Sequence, residues 1–283
     1  MRWLGIAVLV LVLPVLAQAE TSSRTLNGGG TGATARAWVL SAPPRGTRKE
    51  EEGLYKPIAQ FLQMVSGHPV VYKYPSSWLN YSREMATGKY DLVFDGPHFT
   101  GWRDRHLGDT PLVRLPAPLA FVVVERSDER FTRLRQLIGR TVCANSPPYL
   151  GTLMLLNKFK NPEEQPVLVI IHGWLVAYKD LMAKRCDATV LLVPNLIKLE
   201  HGQHLTHILF RGHIYPNQAI SASPRIPPAI QARMRRALLS PAGRAVTHAL
   251  RKIYVSKPFI PAKVAEYKGI GQLLNNTLYF GYN

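Results

Sequence analysis

The chain has 283 residues, 46% of them hydrophobic, enough to build a sizeable core. Its 35 Lys and Arg outnumber its 18 Asp and Glu, for a formal charge of +17. The basic residues are spread along the chain, and with the export signal below this argues against a nucleic-acid partner; an anion, an envelope partner or plain solvated surface all fit the charge.

Arg2 precedes the apolar run Leu4 to Leu16, and Ala17-Gln18-Ala19 offers a small-x-small cleavage site. A cleaved signal peptide over 1–19 is expected, since a membrane span usually needs about 20 apolar residues. No Cys follows that site to carry a lipid anchor. The mature protein is therefore expected in the periplasm. Residues 20–36, with Asn27-Gly28-Gly29-Gly30-Thr31-Gly32, read as a flexible leader.

Trp38 to Leu40 reads as a first strand, followed by the loop Ser41-Ala42-Pro43-Pro44-Arg45-Gly46-Thr47. A helical stripe of Leu54, Ile58, Leu62 and Val65 comes next. Pro57 suits a first helical turn, so this helix is expected to start near Lys56. Val70 to Tyr72 is a strand, Trp78 to Ala86 a helix, and Asp91 to Phe94 a strand closed by Asp95-Gly96-Pro97-His98. Leu115-Pro116-Ala117-Pro118 then leads into a long apolar run ending at Val124, a natural crossing between two lobes.

The alternation restarts beyond it. Thr141 to Ala144 is a strand, Tyr149 to Phe159 a helix, Val167 to Ile171 a strand, Leu175 to Lys184 a helix and Asp187 to Val193 a strand. A return crossing is expected within His207 to Ser221, followed by helices over Pro227 to Leu239, Pro241 to Lys252 and Ala262 to Tyr267. Strand alternating with helix indicates parallel sheets covered on both faces. The expected architecture is an α/β clamshell, with lobe 1 over 37–117 and 217–283 and lobe 2 over 118–216.

Ligands in open α/β sheets sit beyond the carboxyl ends of strands, which singles out Asp95 and His98 after one strand and His172 after another. Cys143 and Cys186 are the only cysteines, and in an exported chain they are expected to form a disulfide within lobe 2.

The chain resembles the phosphonate/phosphite/phosphate-binding family of periplasmic solute-binding proteins of ABC importers, which have the type 2 periplasmic-binding-protein fold. The resemblance rests on Tyr55-Lys56-Pro57-Ile58-Ala59, Phe61-Leu62, Gly88-Lys89-Tyr90-Asp91-Leu92-Val93 leading to Gly96-Pro97, Leu137-Ile138-Gly139-Arg140-Thr141-Val142, Pro147-Pro148-Tyr149-Leu150-Gly151-Thr152, and Cys186-Asp187-Ala188. It implies capture of a small oxyanion, by backbone N–H groups of Tyr149, Leu150, Gly151 and Thr152 at a helix start. It also places Trp78, Asp95 and Trp174 along the cleft. Aminophosphonate binders of this kind carry an extra acid near the strand after Asp187; Val190-Leu191-Leu192-Val193 has none, so an aminoalkylphosphonate is not expected.

The implied partner is an inner-membrane permease. A sensor or chemoreceptor is an alternative recipient, since hinge closure serves both. A metal-binding role rests on His201, His204 and His207, whose spacing does not gather three imidazoles on one helix face. No cofactor is implied. With no Gly-x-Ser-x-Gly, His-Glu-x-x-His or glycine-rich phosphate loop, an enzyme is not expected.

Overall fold

The computed structural model describes residues 36–280. The expected signal peptide and nearly all of the leader lie outside the described residues. The first segment runs β1 (Trp38–Ser41), α1 (Arg48–Ser66), β2 (Val70–Tyr72), α2 (Trp78–Ala86), β3 (Leu92–Asp95), α3 (Pro97–Leu107) and β4 (Thr110–Arg114). The middle segment runs β5 (Leu119–Arg126), β6 (Thr141–Ala144), α4 (Leu150–Leu156), β7 (Val167–Ile170), α5 (Trp174–Met182), β8 (Ala188–Leu192), α6 (Val193–Glu200) and β9 (Thr206–Tyr215). The last holds β10 (Ala219–Ala222), α7 (Pro228–Leu239), α8 (Pro241–Val246), α9 (His248–Tyr254), β11 (Ile260–Pro261) and 3-10 turns at Val264–Tyr267 and Ile270–Leu274.

The strands form two sheets, one per lobe, ordered β11-β4-β10-β3-β1-β2 and β7-β6-β8-β5-β9. In the first, β1, β2 and β3 are parallel, while β10 inserts antiparallel between β3 and β4. In the second, β6 is parallel to β7 and β8, and β5 is antiparallel to β8 and β9. The apolar run in β5 is long because both its faces are covered. Phe121 and Val123 pack on one side with Met154 and Leu155 of α4, and Val122 and Val124 on the other with Leu181 of α5 and Leu196 of α6.

Besides the helix expected over Ala262 to Tyr267, which is only the 3-10 turn at Val264–Tyr267, two expectations about helices need correction. First, α1 starts at Arg48, not near Lys56. Thr47 and Glu50 form a capping box, which satisfies otherwise orphaned N–H groups at the helix start. Pro57 lies within the helix on its exposed side, four residues after exposed Gly53, and the helix persists because Tyr55, Ile58, Ala59 and Leu62 are buried. Second, the helix expected over Pro241 to Lys252 is two helices. The break falls at Thr247, whose hydroxyl donates to the Gly243 carbonyl at 2.7 Å.

Return to the first sheet takes only residues 216–218, because 206–215 forms strand β9 at the edge of the second sheet. Asn217 fastens the two crossings together: its side-chain amide donates to the Ala117 carbonyl at 2.6 Å. Its own carbonyl accepts from the Tyr267 hydroxyl at 3.0 Å. The 3-10 turn at Ile270–Leu274 spans both lobes. Ile270 and Leu273 pack against the second lobe's core, while Leu274 and Phe280 join Phe99 and Trp102 of α3 and Leu153 of α4.

Cys143 and Cys186 are joined by a disulfide, 43 residues apart in sequence, pinning β6 to the segment before β8. Loop-closure entropy for that separation is worth about 4 kcal/mol. Replacing both cysteines by serine should lower unfolding free energy by up to about that amount in urea titrations; an unchanged midpoint would show that the crosslink contributes nothing.

Candidate functional site

Five loops at the carboxyl ends of parallel strands carry the candidate residues. Arg45 follows β1, Trp78 follows β2 and His98 follows β3; Tyr149 follows β6 and His172 follows β7. Two contacts draw these ends of the lobes together. His98 Nε2 donates to the Pro148 carbonyl at 3.0 Å, across the interlobe boundary. Leu153 of α4 is buried among aromatic residues of the first lobe.

Asp95 takes a different place from the cleft-lining one expected. It is fully buried and accepts hydrogen bonds from Tyr81 Oη at 2.6 Å, Arg103 Nη2 at 3.1 Å and Thr100 Oγ1 at 3.3 Å. Arg103, itself 1% exposed, also lies 3.6 Å from Asp109. Burial pushes the Asp95 carboxyl up, and the Arg103 charge with the Tyr81 hydroxyl pulls it back. This carboxylate is spent on the protein. It neutralises a cation and fixes the turn from β3 into α3.

The start of α4 also differs in detail from the expected anion cradle. The Tyr149 N–H is already taken by the Ser146 carbonyl at 3.1 Å, and the Thr152 hydroxyl donates to the Asn145 carbonyl at 2.6 Å. Leu150 is a core side chain. A Cβ on Gly151 would come within 2.8 Å of the Phe121 ring, so this glycine admits an aromatic neighbour, not a ligand. The N–H groups of Leu150, Gly151 and Thr152 have no acceptor among the described residues.

His172 is exposed in the loop after β7, and the following Gly173 N–H donates to Asn145 Oδ1 at 3.0 Å. Trp174 is half-buried on the second lobe's core, with Lys198 Nζ 5.8 Å from its ring centre. Trp78 is half-buried between Phe99 and Tyr81. His98 is 4% exposed, and burial lowers its pKa to about 3, which keeps the imidazole neutral. His201, His204 and His207 are exposed, and no cluster able to hold a metal occurs among the described residues.

Arg45 was not singled out by sequence reading. Its guanidinium carbon lies 5.9 Å from the Trp78 ring centre and 5.7 Å from that of Tyr254. The side chain is solvent-exposed, yet protein surrounds it deeply; both hold for a group on the wall of a cleft. It forms no ion pair among the described residues. Glu51 holds its loop instead, accepting from the Arg45 and Gly46 N–H groups at 3.1 and 3.0 Å. From the other lobe, burial raises the Tyr149 hydroxyl to about 12, and the Arg45 charge opposes that rise. Arg45 thus stands against Trp78 and within electrostatic reach of Tyr149.

A separate cavity of about 520 Å³ lies at the lobe junction, lined by Trp78, Pro147, Pro148, Leu153, Leu278 and Phe280 among others. No charged side chain lines it, so it does not suit an oxyanion.

Residues 40–267 match the family described as ABC transporter, phosphonate, periplasmic substrate-binding protein. No curated protein is significantly similar to the chain in sequence. Among solved structures, XAC2383 from Xanthomonas citri bound to ATP is similar with a TM-score of 0.65 at 15% identity, covering 86% of this chain and 99% of that one. PhnD1 from Prochlorococcus marinus in complex with methylphosphonate has a TM-score of 0.59 at 12% identity, covering 84% and 97%. A binding protein component of an ABC phosphonate transporter from Pseudomonas aeruginosa has a TM-score of 0.57 at 11% identity, covering 84% and 85%. These structural likenesses bear out the two-lobed type 2 fold.

Two outcomes follow. Asp95→Asn should cost about 3–5 kcal/mol of stability, because it leaves Arg103 with a weakened counter-charge in a buried site; denaturant unfolding showing no loss would return Asp95 to the list of ligand residues. For His98, the folded pKa lies below the unfolded one, so the unfolded state binds the extra proton. Stability should be complete above pH 6.5 and fall towards pH 3 by about 1.4 kcal/mol per pH unit from this group. His98→Asn should remove that component of the acid slope in melts recorded across the window.

Proposed function

Because the chain belongs to the phosphonate-binding family of periplasmic substrate-binding proteins of ABC transporters, we propose that it captures a small phosphorus oxyanion between its lobes, with Arg45 as the cation that holds it. The family supplies a substrate-binding component, not an enzyme; it acts in the periplasm and hands a small ligand to an ABC permease. The observation that carries the anionic ligand is Arg45: a guanidinium in no ion pair among the described residues, set beside the rings of Trp78 and Tyr254.

The methylphosphonate held by PhnD1 supports a phosphonate as the ligand class. A guanidinium suits such a group because its planar donors meet two oxygens at once. Opposite Arg45, the free N–H groups of Leu150, Gly151 and Thr152 and the Tyr149 hydroxyl supply further donors from the second lobe. Contacts from both lobes to one ligand favour the closed form, with Asn217 and the two crossings as the hinge. Trp78 lines the same space, while His172 and Trp174 form its outer margin on the second lobe.

The two acids expected nearest a ligand, Asp95 and Asp187, are both engaged within the protein. Asp95 is paired with Arg103, and Asp187 Oδ2 accepts from the Thr141 N–H and hydroxyl, both at 2.8 Å. This supports an unsubstituted or alkyl oxyanion over an aminoalkylphosphonate. Cleavage of the signal peptide after Ala19, which would free the protein in the periplasm, belongs to the same reading.

The test is calorimetric titration with methylphosphonate, phosphite, phosphate and aminoethylphosphonate. At least one of the first three should bind, more tightly than the amine. Arg45→Met should weaken that binding about 10–100-fold, the worth of hydrogen bonds to a charged group, while leaving unliganded stability unchanged. Full affinity in a folded Arg45→Met protein would remove Arg45 from the site, and binding of none of the oxyanions would overturn the ligand class.

A further inference from the structure

Between Glu200 and Glu266 the sequence contains no acidic residue. That stretch includes α7, α8 and α9, which pack with α1 on the face of the first sheet opposite α2 and α3. Burial of Met234, Leu238 and Leu250 towards Ile58 and Leu62 sets which side of the helices turns outwards. Arg233 and Arg236 on α7, Arg244 on α8 and Lys252 on α9 are all exposed. None of them forms an ion pair among the described residues.

Elsewhere on the chain, acidic residues are interspersed and some cations are ion-paired, though others, Arg45 among them, are not. Arg225 pairs with Asp91, Arg114 with Glu266, Lys56 with Glu52 and Arg185 with Asp180. Even the buried cation within the helical layer lacks a carboxylate: Arg251 donates to the carbonyls of Arg244 and Ser256. Two large apolar side chains stand out on these helices, Ile253 beside Lys252 at 60% exposure and Met64 near the end of α1 at 75%. Arg233 Nη1 reaches the Val65 carbonyl at 3.5 Å, so Met64 lies at the margin of the basic helices.

We propose that this helical face docks on an anionic phospholipid bilayer. Several unpaired cations on one layer are attracted by a negatively charged headgroup plane, each adding to the attraction within about one Debye length. Exposed Ile253 and Met64 supply the apolar contacts that such interfacial binding uses. The layer adjoins the cleft at Tyr254 of α9, whose ring centre lies 5.7 Å from the Arg45 guanidinium, while the four cations are on its exposed side. The proposal stands independently of which oxyanion the cleft takes.

The experiment is co-sedimentation of protein purified from the periplasm of an expressing host with two kinds of vesicle. One is phosphatidylcholine alone, and the other is phosphatidylcholine mixed with phosphatidylglycerol. Binding should require phosphatidylglycerol and should weaken as salt rises. Reversing four charges, Arg233→Glu, Arg236→Glu, Arg244→Glu and Lys252→Glu, should reduce it about 100-fold or more. Should that variant misfold by circular dichroism, the four Gln replacements are read instead and should show a smaller loss. Equal binding to both vesicles, no binding to either, or undiminished binding by the folded variants would each overturn the proposal. So would charge-dependent binding seen only when the permease is embedded in the vesicles, which would assign the face to that protein.

Discussion

The ion pair between Asp95 and Arg103 is the constraint on which the cleft geometry rests. Both side chains are buried, and removing two charges from water is recovered only when their partners are well placed. Here Tyr81 and Thr100 complete the shell of Asp95. The pair joins the end of a central strand to the second turn of the helix that follows it. With that corner fixed, His98 projects from the first turn of α3 and reaches Pro148 in the other lobe. Aromatic packing of Phe99 and Trp102 around Leu153 lies on the same helix.

Electrostatically, the cleft inverts this arrangement. Asp95 and Arg103 are paired and buried; Arg45, beside Trp78, is exposed and in no ion pair among the described residues. The neutral state of His98 follows from its burial, so closing contacts between the lobes do not add a second positive charge beside Arg45. In the proposed site, an exposed cation facing neutral donors is suited to a small anion that must also be released. A fully buried cation would hold its ligand more tightly and deliver it more slowly.

Much of the architecture was legible in the sequence because its signals are local. Apolar runs bounded by glycine and proline gave the parallel strands, and Leu115-Pro116-Ala117-Pro118 marked the first passage between sheets. Strand β9 was not legible as such, since an edge strand with Arg211 and His213 on it lacks the apolar run of a buried one. The start of α1 was carried by Thr47 and Glu50, a signal overshadowed by Pro57. Within the site, local reading placed His98 at a strand end and the resemblance singled out Trp78 and Tyr149, but neither could assign their partners. Asp95 resembles a cleft residue in sequence, and only its distance to Arg103 shows otherwise. Arg45 sits in an ordinary proline-rich loop; its meaning depends on Trp78 and Tyr254, which lie far along the chain.

The placement of β10 bears on the order in which the chain can acquire structure. The second sheet is built from one uninterrupted stretch, β5 to β9, and needs no strand that comes later. The first sheet has β10 between β3 and β4, so those two strands have no hydrogen-bonded neighbour on their facing edges until residues 219–222 arrive. As the chain emerges amino-terminus first, the lobe made earliest is therefore the last to close. Its open edges persist through synthesis of the whole second lobe, and the ligand cleft comes into existence only in the final steps of folding.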